Sequence, residues 1–412
     1  MTPPVRVAIT ARSVFPLHGL GGLERSVYDL ARHLVREGAR VTLITRPPSQ
    51  PGTVHPDIAT QFVSYKTFPF AGRKGTTVID RSTAYPRFGV RAGDVAAALV
   101  QRGEIDIVHG FGASVLGYAR VRTQFRAPLV LNPQGMEEFG ATDPSHARLK
   151  RLAYMPLRRA VRECAAAADA VIATDQALVP AVRRHLGVPD ERIATIPNAL
   201  DLESIDSLAT AADGARIRSA ARAQDDAVLL SVGRIEENKG FHLLAQGLAA
   251  LREHSGRLSR GGWRWVIVGD GPFRGHLESV LTSLGIAPNV LLAGKLPDAE
   301  LHAWYEAADL FVHPTLYEGS SLVTLEAMAH RRACVVTDAG GLPDKVRNGL
   351  NGWIVPAGDP AALAGAISGA LESPARLRQM GEAGRRIVEE EFSWRATVVQ
   401  TLALYDRLRR RA

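Results

Sequence analysis

Residues 308–329, ADLFVHPTLYEGSSLVTLEAMA, read as strand, loop and helix in immediate succession. The apolar run 310–313 ends at His313, and Pro314 and Gly319 break the pattern. Ser320 and Ser321 then precede a second apolar run, as residues whose side chains cap first-turn amides. Similar apolar runs recur along the chain, at 5–10, 40–45, 105–109, 128–132, 170–174 and 193–197, and again at 227–232, 265–269, 290–293, 310–313, 334–337 and 353–355. They are rich in Val, Ile and Leu, and most end in Gly, Asp, Asn, Pro or Thr, which suits buried parallel strands. The stretches between them have helical spacing; residues 26–37 (SVYDLARHLVRE) place Val27, Leu30, Ala31, Leu34 and Val35 on one face.

Strand–helix alternation repeated twice predicts an α/β protein with two Rossmann-like, doubly wound domains facing across a cleft. The expected division is residues 1–200 and 201–389, with a boundary near 200–226 where Ser, Ala and Asp dilute the strand signal. A terminal helix at about 390–412 has no strand of its own and is expected to cross back onto the first domain. Residues 50–90 read as loop-rich. Ligands of open parallel sheets bind beyond the carboxyl ends of the strands, so motifs there carry the functional weight.

The composition is globular, with 46% hydrophobic and 22% charged residues over 412 positions. No apolar stretch is long enough for a membrane span, and the N-terminal residues lack the zones of a signal peptide, so a cytoplasmic location is expected. Cys164 and Cys334 are too few for a disulfide framework or a zinc site. The net charge of +8 is uneven: 26 Lys and Arg against 16 Asp and Glu leave +10 in residues 1–200, and the remainder carries −2. A basic first half points to an anionic partner, a membrane surface or a phosphorylated substrate. Nucleic acid is the least supported of such partners, because the basic segments lack interleaved aromatics.

The helix after Ser321 opens with free amides at Ser321, Leu322 and Val323, an arrangement suited to a phosphate. Glu318 lies before it, placed to hold sugar hydroxyls, and Glu326 inside it, placed to accept from the vicinal hydroxyls of a ribose. The run 231–241, SVGRIEENKGF, offers Arg234 and Lys239 beside Gly233 and Gly240, two cations for a diphosphate in the role a divalent metal fills elsewhere. No Asp-x-Asp or histidine cluster with ligand spacing is nearby, so no metal or other cofactor is expected. Asp270 and Gly271 end another strand, Lys295 and Leu296 end the next and suit a base pocket, and Gly340, Gly341 and Pro343 end a fifth. Gly319 and Ser320 complete the donor-side set.

These segments closely resemble glycosyltransferase family 4, of the GT-B fold. The resemblance spans nearly the whole chain and is most specific from Ser231 to Asp359. It implies hexosyl transfer from a nucleotide-diphosphate sugar to a hydroxyl acceptor, with retention of configuration and without metal. It implies that Arg234 and Lys239 bind the donor phosphates, Glu318 the sugar and Glu326 the ribose. In the first domain it implies a phosphate- and acceptor-side loop at Gly21, Gly22 and Glu24, and an acceptor-side loop with Gln134 and Glu137. His109, at an expected strand end, is a candidate catalytic residue; the family often has a second histidine where this chain has Phe111. A sugar-nucleotide epimerase on the same fold and a non-catalytic nucleotide-sugar binder are the alternative readings. Residues 148–162 are basic and amphipathic, with Leu149, Leu152, Ala153, Leu157 and Val161 on one face interrupted by Pro156. Such a segment suits peripheral contact at the inner face of a membrane and a lipid-linked acceptor.

Overall fold

A computed structural model describes residues 4–19, 22–67, 77–134, 136–140, 152–251 and 262–411. The chain forms two compact units, Met1–Ala199 with Trp394–Ala412, and Leu200–Ser393. Unit 1 holds strands β1 (Arg6–Thr10), β2 (Arg40–Thr45), β3 (Ile58–Phe62), β4 (Ile107–Phe111), β5 (Leu129–Asn132), β6 (Ala170–Ala173) and β7 (Ile193–Thr195). They pair in the order β3-β2-β1-β4-β5-β6-β7. Unit 2 holds β8 (Ala227–Val232), β9 (Trp263–Val268), β10 (Val290–Gly294), β11 (Leu310–His313), β12 (Ala333–Thr337) and β13 (Gly352–Val355), in the order β10-β9-β8-β11-β12-β13. All these pairings are parallel, and helices bury apolar residues on both faces of each sheet. Each unit is therefore doubly wound, with its strand order reversing once, between β1 and β4 and between β8 and β11.

Two sequence expectations change. Residues 50–90 include β3 and the start of a long helix, Thr77–Gln101. β3 is an edge strand in which only Ile58 is fully buried, so it leaves no apolar run to read. The helix carries Pro86 and buries a stripe made largely of alanine: Ala84, Phe88, Ala92, Ala96 and Leu99. Glycine accounts for its packing. A Cβ on Gly89 would lie 1.8 Å from the Ala113 carbonyl oxygen, and one on Gly93 would lie 2.2 Å from the Tyr118 amide. The stretch 200–226, where the boundary was expected, follows the division after Ala199 and holds two short helices, Leu202–Leu208 capped by Asp201 and Ala211–Ala220 capped by Thr210. β4 runs two residues beyond its expected end, which places His109 in mid-strand opposite Ile9 and Val130.

The terminal helix Trp394–Arg409 belongs to unit 1 and buries Trp394, Val398, Leu404, Tyr405 and Leu408 in the same core as Leu30 and Leu34. A helix without its own strand gains stability only by burying such a face.

Gly93→Ala is expected to destabilise unit 1 by about 1–3 kcal/mol, because the methyl meets backbone rather than a mobile side chain. Gly369→Ala, on an exposed helical site with nothing near the new methyl, is expected to stabilise unit 2 by up to about 1 kcal/mol. Thermal unfolding should shift in opposite directions, by about 2–4 °C per kcal/mol in units of this size.

Candidate functional site

The loops beyond the strands of unit 2 cross one another backbone to backbone. A Cβ on Gly269 would fall 1.9 Å from the Gly233 carbonyl oxygen, and one on Gly271 would fall 2.3 Å from that of Ile235. The loop after β8 is thereby laid on the loop after β9, joined by Gly233 N–H to Val268 O and Ile235 N–H to Asp270 O at 3.0 and 3.1 Å. Gly240 turns in the left-handed region at φ +67°, against the Pro314 carbonyl. Leu316 N–H donates to Asn238 O at 2.7 Å and fastens the loop after β11 to the loop after β8. Gly340, at φ +54°, fits beneath the Glu318 carbonyl, where a Cβ would lie 1.8 Å away. Thr337 Oγ1 donates to Thr315 O at 2.6 Å from the same side.

This crossing sets Glu318. Its Oε2 accepts from Lys239 Nζ at 2.8 Å and lies 2.7 Å from His313 Nε2, and its Oε1 accepts from the Gly319 amide at 3.2 Å. Burial alone would raise the carboxyl's pKa; the His313 hydrogen bond and the Lys239 charge outweigh it and hold the group well below the usual carboxylate range. Glu318 is thus a largely buried, charged acceptor with 14% of its side chain exposed. His313 Nδ1 is buried with no hydrogen-bond partner among the described residues.

Directly after it begins the helix Leu322–Ala329, with Ser321 rather than Ser320 as its cap; Ser321 Oγ accepts from the Thr324 amide at 3.4 Å. The preceding amides have no carbonyl one turn back to donate to. Ser320 Oγ is buried without a partner among the described residues. Glu326 is half-buried, and its Oε2 accepts from Tyr305 Oη at 2.9 Å. Burial first, and then the Glu326 charge, push the Tyr305 phenol well above its ordinary pKa, so it stays a donor. The His330 ring stacks on Tyr305 with centroids 5.5 Å apart, and His330 is held in turn by Glu306 Oε1 at 2.6 Å. Tyr305 lay beyond sequence reasoning, because on the Asp298–Ala307 helix it reads as one more core aromatic.

The other donor-side candidates are more open. Arg234 is exposed and pairs with Glu236 at 3.0 Å, so the two candidate cations separate: Lys239 sits on Glu318, and Arg234 points to solvent. Asp270 is exposed and turns its Oδ1 onto the Gly271 amide at 2.8 Å. Lys295 is exposed, and Leu296 packs against the core. Val323 lies in the first helical turn, partly buried.

In unit 1, Gly22 begins the helix Gly22–Arg36, with Glu24 in its first turn, while Gly21 lies outside the described residues. His109 is corrected from an open strand end to the interior. It is 1% exposed, stacked on Phe111 at 5.0 Å, and its Nδ1 lies 2.7 Å from Tyr405 Oη. Burial lowers its pKa to about 3, which keeps the ring neutral. Gln134 adopts φ +60°, and its amide donates to Asn132 Oδ1 at 3.0 Å. Glu137 falls in the short turn Glu137–Phe139. Within unit 1, His109, Asn132, Gln134 and Asn198 line one small pocket, partly open to solvent. Among the described residues no group of three or more His, Cys, Asp or Glu gathers as a metal site would.

Residues 20–204 match the family model for Glycosyltransferase Family 4, and residues 215–387 match the model for Glycosyl transferases group 1. A D-inositol 3-phosphate glycosyltransferase of Catenulispora acidiphila is 29% identical over 98% of this chain and 95% of its own length. Among solved structures, sucrose-phosphate synthase from Thermosynechococcus elongatus superposes with a TM-score of 0.75 at 23% identity, over 99% of this chain and 100% of the other. Anabaena HepE in complex with UDP-glucose superposes with a TM-score of 0.66 at 21% identity, over 97% and 100% of the two chains.

A carboxyl depressed by folding stabilises the native state above its unfolded pKa, and that stabilisation is lost as pH falls toward the native value. Glu318→Gln should therefore be less stable than wild type by a constant margin from pH 7 to about 5, and the margin should narrow below about pH 4. Denaturant titrations across that range measure it; a margin independent of pH would mean that Glu318 is not held as a charge.

Proposed function

The chain is a glycosyltransferase of family 4 with the GT-B fold, and on that premise we propose that it moves a hexosyl group from a nucleotide-diphosphate sugar to a hydroxyl acceptor, with retention of configuration and without a metal. The observation that carries this reading is the largely buried Glu318 carboxylate, charged between Lys239 and His313 and followed at once by a helix start whose Ser320 hydroxyl has no partner among the described residues. A carboxylate held in this way accepts hydrogen bonds from sugar hydroxyls. The helix amides and Ser320 Oγ donate to a phosphate. Lys239 has three N–H donors and spends one on Glu318, which leaves two for phosphate oxygens. Arg234, exposed and paired with the neighbouring Glu236, swings to the same anion. Together they stabilise the charge that grows on the departing nucleoside diphosphate. Glu326, aimed by Tyr305, takes the ribose hydroxyls.

The acceptor side falls to unit 1, where Glu24 and Gln134 lie at or near the ends of their segments. The acceptor hydroxyl attacks from the side on which the diphosphate departs, and a departing phosphate oxygen takes its proton. The acceptor class spans glycans, lipid-linked sugars and small molecules. Peripheral membrane contact has its own support. Pro156 starts the helix Met155–Ala167 rather than interrupting it, and Leu152 and Met155 are 64% and 62% exposed beside the exposed Arg159 and Arg162. Of the face assigned from sequence, Leu157 and Val161 are instead buried in the unit 1 core, and Leu149 lies outside the described residues.

Arg234→Ala and Lys239→Ala should each lower kcat by about 100-fold or more. Arg234→Ala should unfold at the wild-type temperature, and Lys239→Ala should unfold earlier because Glu318 loses a partner. Wild-type turnover in both variants would sink the diphosphate assignment, and loss of turnover on dialysis against EDTA would sink the metal-free one. A thermal-shift panel of UDP-, GDP-, ADP- and dTDP-sugars should find one base that stabilises the fold. Replacing Leu152 and Met155 by Ser should release the protein from anionic vesicles in flotation; equal flotation would remove the membrane contact.

A further inference from the structure

Unit 1 holds a cluster of charges that the donor chemistry does not use. β1 and β2 are neighbours, and just beyond their carboxyl ends stand Arg12 and Arg46. Arg12 is fixed from several sides. Its Nε donates to Tyr65 Oη at 2.8 Å, its Nη2 lies 3.2 Å from Asp80 Oδ2, and its guanidinium faces the Tyr65 and Tyr85 rings at 5.6 and 5.8 Å. Arg46 differs. It is partly buried, its Nε is fully covered, and its guanidinium has no hydrogen bond or ion pair with any described residue. Burial and then the Arg12 charge lower its pKa; Tyr65, Glu24 and Asp80 act in the opposite direction without touching it. Asp80 Oδ1 is likewise buried without a partner among the described residues.

Two neighbouring guanidiniums, one of them half-buried with its Nε covered and unbonded among the described residues, repel each other unless an anion stands between them. They lie where open parallel sheets receive ligands. An anion would satisfy Arg46, and a hydroxyl on the same molecule would satisfy Asp80 Oδ1. The fork of a guanidinium matches phosphate oxygens two at a time. The +10 excess of residues 1–200 draws such a molecule in.

We propose that the acceptor carries a phosphate group, which Arg46 binds with Arg12 beside it, while Asp80 accepts from a hydroxyl of the same molecule. The proposal rests on the acceptor-side reading of unit 1 and narrows the acceptor to a phosphorylated polyhydroxyl compound, either free or as a lipid headgroup.

The test is calorimetry on the full chain with glucose 6-phosphate, with glucose as the uncharged control, and flotation with phosphatidylcholine vesicles with and without phosphatidylglycerol. Wild type should bind one of the two probes of net negative charge, glucose 6-phosphate or the phosphatidylglycerol vesicles, and neither glucose nor the zwitterionic phosphatidylcholine vesicles. Arg46→Gln should weaken that binding at least tenfold, Arg46→Lys should recover part of it, and Arg409→Gln should leave it unchanged. Binding of glucose 6-phosphate identifies a free phosphate as the source, and binding only of phosphatidylglycerol vesicles identifies a headgroup. Arg46→Gln should also melt at or above the wild-type temperature, since it removes an unpaired charge; a lower melting temperature would mark Arg46 as structural and overturn the proposal. Equal binding of phosphate probes by wild type and Arg46→Gln, or binding of neither probe by wild type, would overturn it as well. Donor-induced thermal shift is read on the same samples: its absence while glucose 6-phosphate still binds through Arg46 counts against the donor assignment and for this one.

Discussion

A carboxylate cannot be buried without partners, and in unit 2 that constraint organises everything around Glu318. Lys239 reaches it only because Gly240 turns left-handed immediately afterwards and sets the loop against Pro314. His313 reaches it because β11 ends at that residue. The Glu318 main chain is itself seated on Gly340, where any side chain would collide. Three strand ends therefore converge on one charge. A substitution at Gly240 or Gly340 would act on the site through the backbone, with no loss of a ligand-touching atom.

The two units treat charge differently, and the difference separates holding from receiving. In unit 2 the deep acids are satisfied by the protein itself, Glu318 by Lys239 and His313, and Glu326 by Tyr305. Acids satisfied in this way are pre-oriented acceptors, which lose little freedom when hydroxyls arrive. In unit 1 the half-buried cation Arg46 has no hydrogen bond or ion pair among the described residues, and its neighbour Arg12 is already tied to Tyr65 and Asp80. A tied guanidinium beside an untied one gives a fixed electrostatic wall and one group able to adjust. That suits a partner whose identity varies more than a nucleotide diphosphate does.

Most of the strands were legible because buried parallel strands are continuous apolar runs, and the runs at 40–45, 227–232 and 310–313 coincide with β2, β8 and β11. What escaped had a physical reason. β3 is an edge strand with one buried residue, and the Thr77–Gln101 helix packs through glycine and alanine, which a hydrophobicity pattern cannot weigh. At the site, Glu318 and Lys239 stood out by residue type at strand ends, but their direct bond did not, since nothing in 79 positions of separation encodes a 2.8 Å contact. Arg46 was illegible for a different reason. One arginine among many in a basic half is unremarkable until the structure shows its Nε covered and unbonded among the described residues.

Two histidines make the same point about partners. Each lies on the strand that follows the reversal of strand order, His109 on β4 and His313 on β11, and each has one ring nitrogen bonded and the other buried without a partner among the described residues. The difference lies in position along the strand. β4 continues two residues past His109, so the ring is enclosed by Phe111 and the Tyr405 hydroxyl, both uncharged, and burial leaves it neutral. β11 stops at His313, so the next loop can fold a carboxylate back onto the ring. A histidine at a strand end can meet charge from the following loop, whereas one inside the strand meets only what the core supplies. Two residues of strand length thus decide whether the side chain belongs to packing or to the charged machinery of the site.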